Sequence, residues 1–447
     1  MTKTAKIRMT LSLAALLCLP GCGAFGERPA PVTAPPASSA PAEAATATPT
    51  PAPAPKIVIV YARGMDETES TARLLEAFNA QSETVTVKYQ ELASDSSQRY
   101  NQLVASFAAQ NAEIDVFDAD AVWPAEFAAR GYAASVDDYV SREQVNLTKY
   151  WAGMISALSY DGQLWGMPKT ASAGVLYYRT DLVPEPPGTW EELAAAAGAV
   201  PAGMHGFVAN GAANDTLVGI ALEMIYAYGG QVLSSDGRVV INSDNAVAGL
   251  ERMRTLYDAD ISPENILGMT DNDACVYFLQ GRSAMMRNWP YAWAIGKHAD
   301  NAVKGLYAIA PLPAGDAGNG AVLGGVVLMM NKQTKNPDAV WEFMRYVSGE
   351  EGQTLLAVEG GRIPALRWVM QADEVVAANP HFGDDNFVRA VESAAPRAVT
   401  PYYSAISAVM QQELATFLRN EQSARAAAAA MERRITEVLS EQMYGLE

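Results

Sequence analysis

Asp118 and Asp120 stand two residues apart at the end of the strand-like run Ile114–Ala119, so both carboxylates project from one face of an extended segment. Two carboxyls flanking a bond are what glycoside hydrolysis needs. Carboxylates so spaced are far more often solvent-facing or hydrogen-bonding groups, and no further catalytic set joins them. His205, His298 and His381 lie far apart without metal-spaced neighbours. H-E-x-x-H, C-x-x-C, G-x-S-x-G and G-x-x-x-x-G-K-[ST] are all absent. Gly315, Gly318 and Gly320 do not follow the dinucleotide spacing. Trp289 and Tyr291 bracket Pro290 after a strand-like run. Aromatics two apart share a face, where they form a stacking platform or cap a core, as Trp293 is expected to do.

The elements that hold these residues alternate. Ile57–Tyr61 reads as a buried strand, Glu69–Ala80 as a helix with Leu74, Leu75 and Phe78 inward, and Thr84–Tyr89 as a half-buried strand. A helix at Gln98–Ala109, the Ile114–Ala119 strand and a short helix opened by Pro124 follow. After a turn at Asp161-Gly162 come strands Leu164–Met167 and Gly174–Arg179. Thr189 with Glu192 forms a capping box for Glu191–Ala197. Helices Thr216–Tyr228 and Ala246–Ala259 precede strands Ala284–Asn288, Leu306–Ala310 and Val322–Met330. Asn336-Pro337 reads as the N-cap and first residue of a helix to Val347, and the remainder is mostly helical, ending in Arg425–Leu439. Strands separated by helices predict a parallel sheet and an α/β architecture.

The N-terminus carries an address. Lys3, Lys6 and Arg8 precede the apolar run Met9–Pro20 and small Gly21, the layout of a secretory signal peptide. The run is shorter than the ~20 apolar residues that span a bilayer. Cys22 directly after it resembles the acylated cysteine of a lipobox, although Pro20 departs from the usual residue there. From Gly23 to Lys56 lie nine of the 25 prolines among Ala, Ser and Thr, a composition that cannot bury a core and favours extended tether conformations. The expectation is a lipid-anchored protein facing outward from a bacterial membrane, on its periplasmic or extracellular face.

The body from residue 57 onward exceeds the single-core limit, so two lobes are expected. A formal net charge of −18 argues against nucleic acid or anionic lipid as partner. Cys18 leaves with the leader and Cys22 takes the lipid, so Cys275 is left without a disulfide partner and reads as a buried small hydrophobe. No metal or cofactor is expected.

Several stretches together resemble the extracellular solute-binding proteins of ABC importers, in the branch that binds maltose, trehalose and related sugars. They are Asp115-Val116-Phe117, Asp120–Phe127 (DAVWPAEF), Tyr160–Pro168 (YDGQLWGMP), Gly174–Arg179 (GVLYYR), Met286–Trp293 (MRNWPYAW), Gly324-Gly325 and Pro396-Arg397 through Tyr402-Tyr403, in the family's order. The resemblance implies a two-lobed periplasmic-binding-protein fold of type II, with a hinge and a ligand cleft between lobes. It places residues 57–168 with about 312–348 in one lobe, and 169–311 with 349–447 in the other. It also implies a receptor without chemistry of its own, which closes on a disaccharide or short oligosaccharide and presents it to permease subunits; a monomer is expected because one cleft per chain suffices.

Residue by residue, the resemblance makes Asp120 an acceptor for sugar hydroxyls and Trp289 and Tyr291 a platform. Glu67 and Arg99 match polar positions, Gly325 the second paired glycine, and Arg397 reaches in from the far end of the chain. Trp123 is expected in the core. Ser172 stands where relatives carry aspartate and Val326 where they carry tryptophan, so the ligand is another disaccharide, a shorter oligosaccharide or a non-sugar solute. The competing readings are a surface glycoside hydrolase and an adhesive lipoprotein with an empty cleft.

Overall fold

The computed structural model describes residues 55–444 apart from 67, 235, 236 and 299. The leader, Cys22, the Pro/Ala-rich tract and candidate residue Glu67 lie outside the described residues. Two sheets organise the body. The larger runs Ile363–Pro364, Met167–Ala173, Val322–Asn331, Val116–Asp120, Ile57–Gly64, Val85–Leu92. Ala395–Pro396 and Ala133–Ala134 also pair with Val322–Asn331. The smaller runs Tyr307–Pro311, Val175–Arg179, Ser283–Asn288, His205–Val208.

The first three long strands are linked by helices Ser70–Gln81 and Ser96–Ala108, and they pair in parallel as the alternation predicts. The rest departs from an all-parallel sheet. Val322–Asn331 runs antiparallel to Val116–Asp120 and to Met167–Ala173, and Val175–Arg179 runs antiparallel to both neighbours. These strands meet partners far away in the chain, so no short crossover helix forces them parallel.

The expected Leu164–Met167 strand is broken. Gln163–Leu164 closes a hairpin with Ser159–Tyr160, and a new strand begins at Met167. Both capping-box bonds of Thr189 and Glu192 are present. Pro337 opens its helix, whereas the Asn336 side chain makes no cap bond.

The core follows the periodicities. Tyr61 and Phe78 each meet Phe343 at 5.2 Å between ring centroids, locking strand, helix and the helix Pro337–Ser348 together. Trp123 and Cys275 are buried as expected, while Tyr89, which shares a strand face with buried Val85 and Val87, is exposed near the end of an edge strand. The chain passes directly from the first sheet to the second at Gly174. A Cβ there would lie 2.0 Å from Glu223 Oε1 and 2.6 Å from Arg287 Nη2, so only glycine lets the chain pass over this buried ion pair. Between the lobes is a cavity of about 260 Å³, walled by strands of the larger sheet, by the loop Trp289–Tyr291 that follows Ser283–Asn288 of the smaller one, and by the starts of helices Asp215–Ala227 and Asp271–Leu279. Strand ends and helix starts meet at such crevices because open α/β sheets direct both toward one edge.

Candidate ligand-binding site

Asp120 ends its strand on the cavity wall. Its Oδ1 accepts from Arg397 Nη2 at 2.7 Å and from the Val122 backbone N–H at 3.3 Å, while Oδ2 bonds to no described residue. Burial pushes this carboxyl up from its ordinary range, against the pull of Arg397, with Asp215 adding to the rise. That leaves one carboxylate oxygen available to an incoming hydroxyl.

Asp118 lies differently from a catalytic partner. Tyr61 donates to its Oδ1 at 2.6 Å, Lys169 Nζ donates to Oδ2 at 2.7 Å, and Arg63 Nε stands 3.4 Å from Oδ2. Lys169 is fully enclosed, and burial pulls its ammonium down to about 8 despite Asp118. Glycoside hydrolysis needs one carboxyl able to give up a proton and a second free to attack. Asp118 is instead saturated by donors and Asp120 is clamped by Arg397, so the pair does not form that machinery.

Arg99 sits in the first turn of its helix and also lines the cavity. Its Nη1 donates to the carbonyls of Ala93 (3.2 Å) and Ser94 (2.8 Å), and the guanidinium lies 5.6 Å from the Trp123 ring. A Cβ on Gly64 would come within 2.7 Å of that Nη1, so glycine at the strand end makes the room. Burial pulls the Arg99 guanidinium down.

Trp289 and Tyr291 both reach the cavity, as does Ser172. Arg287 underlies the Trp289 indole at 4.0 Å, and Arg287 is itself held by Glu223 through Nε to Oε2 at 2.9 Å and through Nη2 to Oε1. Arg362 lies 4.9 Å from the Tyr291 ring, whose hydroxyl donates to Asn272 Oδ1 at 2.7 Å. Each ring therefore carries a guanidinium nearby, which fixes its plane. Gly324 lies beneath the edge of Trp289; a Cβ there would sit 3.2 Å from the indole. Gly325 has φ +140°, and a Cβ on it would meet the Thr170 carbonyl at 2.3 Å, so this strand packs against its neighbour through bare backbone. Val326 also lines the cavity, offering an apolar branch in place of a ring.

The structure thus gathers Arg99, Asp120, Ser172, Trp289, Tyr291, Gly325 and Arg397 on one cleft. Residues 64–354 match the family described as bacterial extracellular solute-binding protein. This chain belongs to that family. A "probable ABC transporter-binding protein" of Deinococcus radiodurans is 31% identical over 331 residues, covering 70% of this chain and 77% of the relative. The maltotriose-binding protein of Pyrococcus abyssi is 26% identical over 61% of this chain and 58% of its own length. Among solved structures, maltose-bound T. maritima MalE3 superposes with a TM-score of 0.80 at 29% identity, covering 85% of this chain and 99% of that one. MalE from Xanthomonas citri shares the fold at a TM-score of 0.72 and 22% identity, over 87% and 99%. The solute-binding protein therefore has the two-lobed periplasmic-binding-protein fold, and the family it belongs to is one of binding proteins.

More polar side chains belong to the cleft wall than the spacing of residues in the sequence reveals. Asp215, Asn214, Thr270, Asn272, Arg63 and Arg362 line it too. Asn214 and Thr270 carry a signal, since each caps the helix that begins at the next residue. Arg63 and Arg362 carry none, because an isolated arginine at a strand end looks like any surface charge.

Proposed function

We propose that this solute-binding protein is the receptor subunit of an ABC importer and that it captures a disaccharide or short oligosaccharide in the cleft. One observation carries the reading: a free carboxylate oxygen on Asp120, the Arg99 and Arg397 guanidiniums, the Ser172 hydroxyl and the rings of Trp289 and Tyr291 share one cavity. Sugars present many hydroxyls around weakly apolar faces, and carboxylates, guanidiniums and flat rings suit those two kinds of surface. The maltose bound by the MalE3 neighbour and the maltotriose of the Pyrococcus relative's name support the same class. The cavity of about 260 Å³ favours a compact ligand, just below the ~300–1,000 Å³ usual for small-molecule pockets. Ser172 and Val326 shift the preference away from a ligand that relies on a second carboxylate and a third ring.

The reading includes a lipid on Cys22 with the Pro/Ala-rich tract as tether, the lobe division 57–168 with about 312–348 against 169–311 with 349–447, and delivery to a permease as a monomer. Glu67 belongs to the proposed ligand contacts. Among the described residues no helix is long and apolar enough to cross a membrane.

The test is a thermal-shift panel of disaccharides and short oligosaccharides, with product analysis alongside. A ligand that binds only the folded state raises the midpoint as RT ln(1 + [L]/Kd). One sugar is expected to raise it without being hydrolysed. Asp120→Asn is expected to weaken that sugar about 10- to 150-fold, the equivalent of a charged hydrogen bond worth ~1.5–3 kcal/mol. Absence of a shift across the panel would overturn the sugar class, and turnover would overturn the receptor reading.

A further inference from the structure

Two of the cleft's arginines stand beside short strands of the larger sheet. Arg397 directly follows Ala395–Pro396, which pairs with Val322-Leu323. Arg362 directly precedes Ile363–Pro364, which pairs with Thr170-Ala171. Each guanidinium spans the cleft. Arg362 Nη2 lies 3.6 Å from Asp66 Oδ1 of the first lobe while the same group covers Tyr291 of the second. Arg397 is the stronger bridge: Nη2 reaches Asp120 at the end of a first-sheet strand, and Nη1 reaches Asp215 Oδ2 at 2.5 Å. Asp215 opens the helix Asp215–Ala227, which is pinned to the second sheet through Glu223 and Arg287.

Asp215 has little left to offer a ligand. Its Oδ1 accepts from Tyr403 at 3.0 Å and from Ser407 at 2.6 Å, and its Oδ2 takes Arg397. Tyr403 and Ser407 belong to the helix Tyr403–Leu418, so Arg397, Asp215 and these two hydroxyls form one cluster, with Arg397 Nη1 also 3.3 Å from the Tyr403 hydroxyl. Among the described residues, Arg397 to Asp120 is the side-chain link from these four groups to the first lobe, and Ser404 of the same helix adds a separate bond to Glu126 Oε2. Without the guanidinium between them, two carboxylates from opposite lobes would face each other at the bottom of the cleft. Like charges held that close in a poorly solvated site repel.

We propose that Asp215 is a positioning residue that aims Arg397 at Asp120, and that this Asp120–Arg397–Asp215 bridge is an ionic latch holding the lobes together before any ligand arrives. Opening breaks the Arg397–Asp120 contact, because the other end is held by more bonds. The latch goes beyond the proposed sugar reading and needs no assumption about the ligand. Its consequence is that the empty protein rests partly closed, and that Asp120 Oδ1 is spoken for by the latch while Oδ2 serves the ligand.

The test measures the lobe separation in ligand-free protein by pulsed electron paramagnetic resonance. Spin labels go on Lys88→Cys in the first sheet and Glu251→Cys on the helix Asp244–Leu256, in the full chain carrying Cys18→Ser and Cys22→Ser; Cys275 is buried and stays unlabelled. Asp215→Asn is expected to raise the ratio of long to short distances about fivefold or more, within the usual span of coupling between sites. Asp120→Asn, at a partly exposed position, is expected to do the same. In the Asp120→Asn background, Asp215→Asn is expected to add nothing, because both act through the one guanidinium. Unchanged distances in both single variants would overturn the latch. So would an Asp215→Asn effect that persists undiminished without Asp120, since that is what a merely structural role in the helix start predicts.

Discussion

Replacing Arg287 by methionine removes the cation from a carboxylate that has no water to turn to. Arg287 and Glu223 are both 1% exposed, and their bidentate contact is the only ion pair either makes among the described residues. Breaking such a pair from one side costs about 3–5 kcal/mol, because the remaining charge is left uncompensated. That is a large share of the ~5–15 kcal/mol by which a protein is ordinarily stable. The loss has a pH signature. Burial already pushes the Glu223 carboxyl up even with Arg287 beside it, and without Arg287 only the weaker pull of Arg397 opposes the rise. A carboxyl whose folded value lies above its unfolded ~4.3 destabilises the fold as pH rises past that unfolded value, until the folded one is reached. The penalty is therefore greatest at pH 7.5 and shrinks toward pH 4.5. Adding Glu223→Leu removes the stranded charge and should restore most of the stability, to within ~1–2 kcal/mol of the parent. Urea unfolding followed by circular dichroism at both pH values measures all three proteins. The reasoning fails if Arg287→Met costs less than ~1 kcal/mol at pH 7.5, or if the double variant is no more stable than the single. Tryptophan fluorescence supplies a second readout, because the indole of Trp289 loses the guanidinium 4.0 Å away.

Other outcomes follow from separate sites. His381 is buried among Trp293, Phe382 and Phe387 with neither ring nitrogen hydrogen-bonded, and burial pulls its imidazole down to about 3. A base whose folded value is depressed loses stability as pH falls below the unfolded value of ~6.5, so by pH 5 about 2 kcal/mol should be gone. His381→Phe should flatten that slope between pH 7 and pH 5, and a parallel slope in parent and variant would disprove the assignment. Gly325→Ala forces a side chain onto φ +140° against the Thr170 carbonyl. It should lower the thermal midpoint by the equivalent of ~1–3 kcal/mol, and an unchanged midpoint would show that the strand pair relaxes freely. Gly324→Ala presses on the Trp289 edge and should shift tryptophan emission with a smaller stability loss; an unaltered spectrum would place the indole elsewhere.

Local chemistry was readable from the residues in order. The Thr189–Glu192 capping box, the Pro337 helix start, the inward face of Leu74, Leu75 and Phe78 and the burial of Trp123 all depend on groups a few positions apart. The stretches that resemble the family also survive in one dimension, which is why Asp120, Trp289, Tyr291 and Arg397 were nameable before the cleft was seen. Pairing direction was not readable. Whether Val322–Asn331 runs with or against Val116–Asp120 is decided by a partner about two hundred residues away, and strand periodicity is the same in either case.

The same distance hides the electrostatics. Asp120 and Arg397 are 277 residues apart in the chain and Asp215 and Arg397 are 182 apart, yet one guanidinium holds both carboxylates. Asp118 shares a strand face with Asp120, a spacing that admits an acid/base pair but more often belongs to solvent-facing or hydrogen-bonding groups. Lys169 and Tyr61, brought in by two other strands, made it the centre of a buried ionic cluster instead. By itself the sequence determined most of the segments that become helices and strands, most of the inward faces and which residue types are available for a ligand, since propensity, capping and periodicity act over a few residues. Only the tertiary structure decided which charges meet, because Coulomb energies depend on separation and burial in space, and folding sets both without regard to distance along the chain.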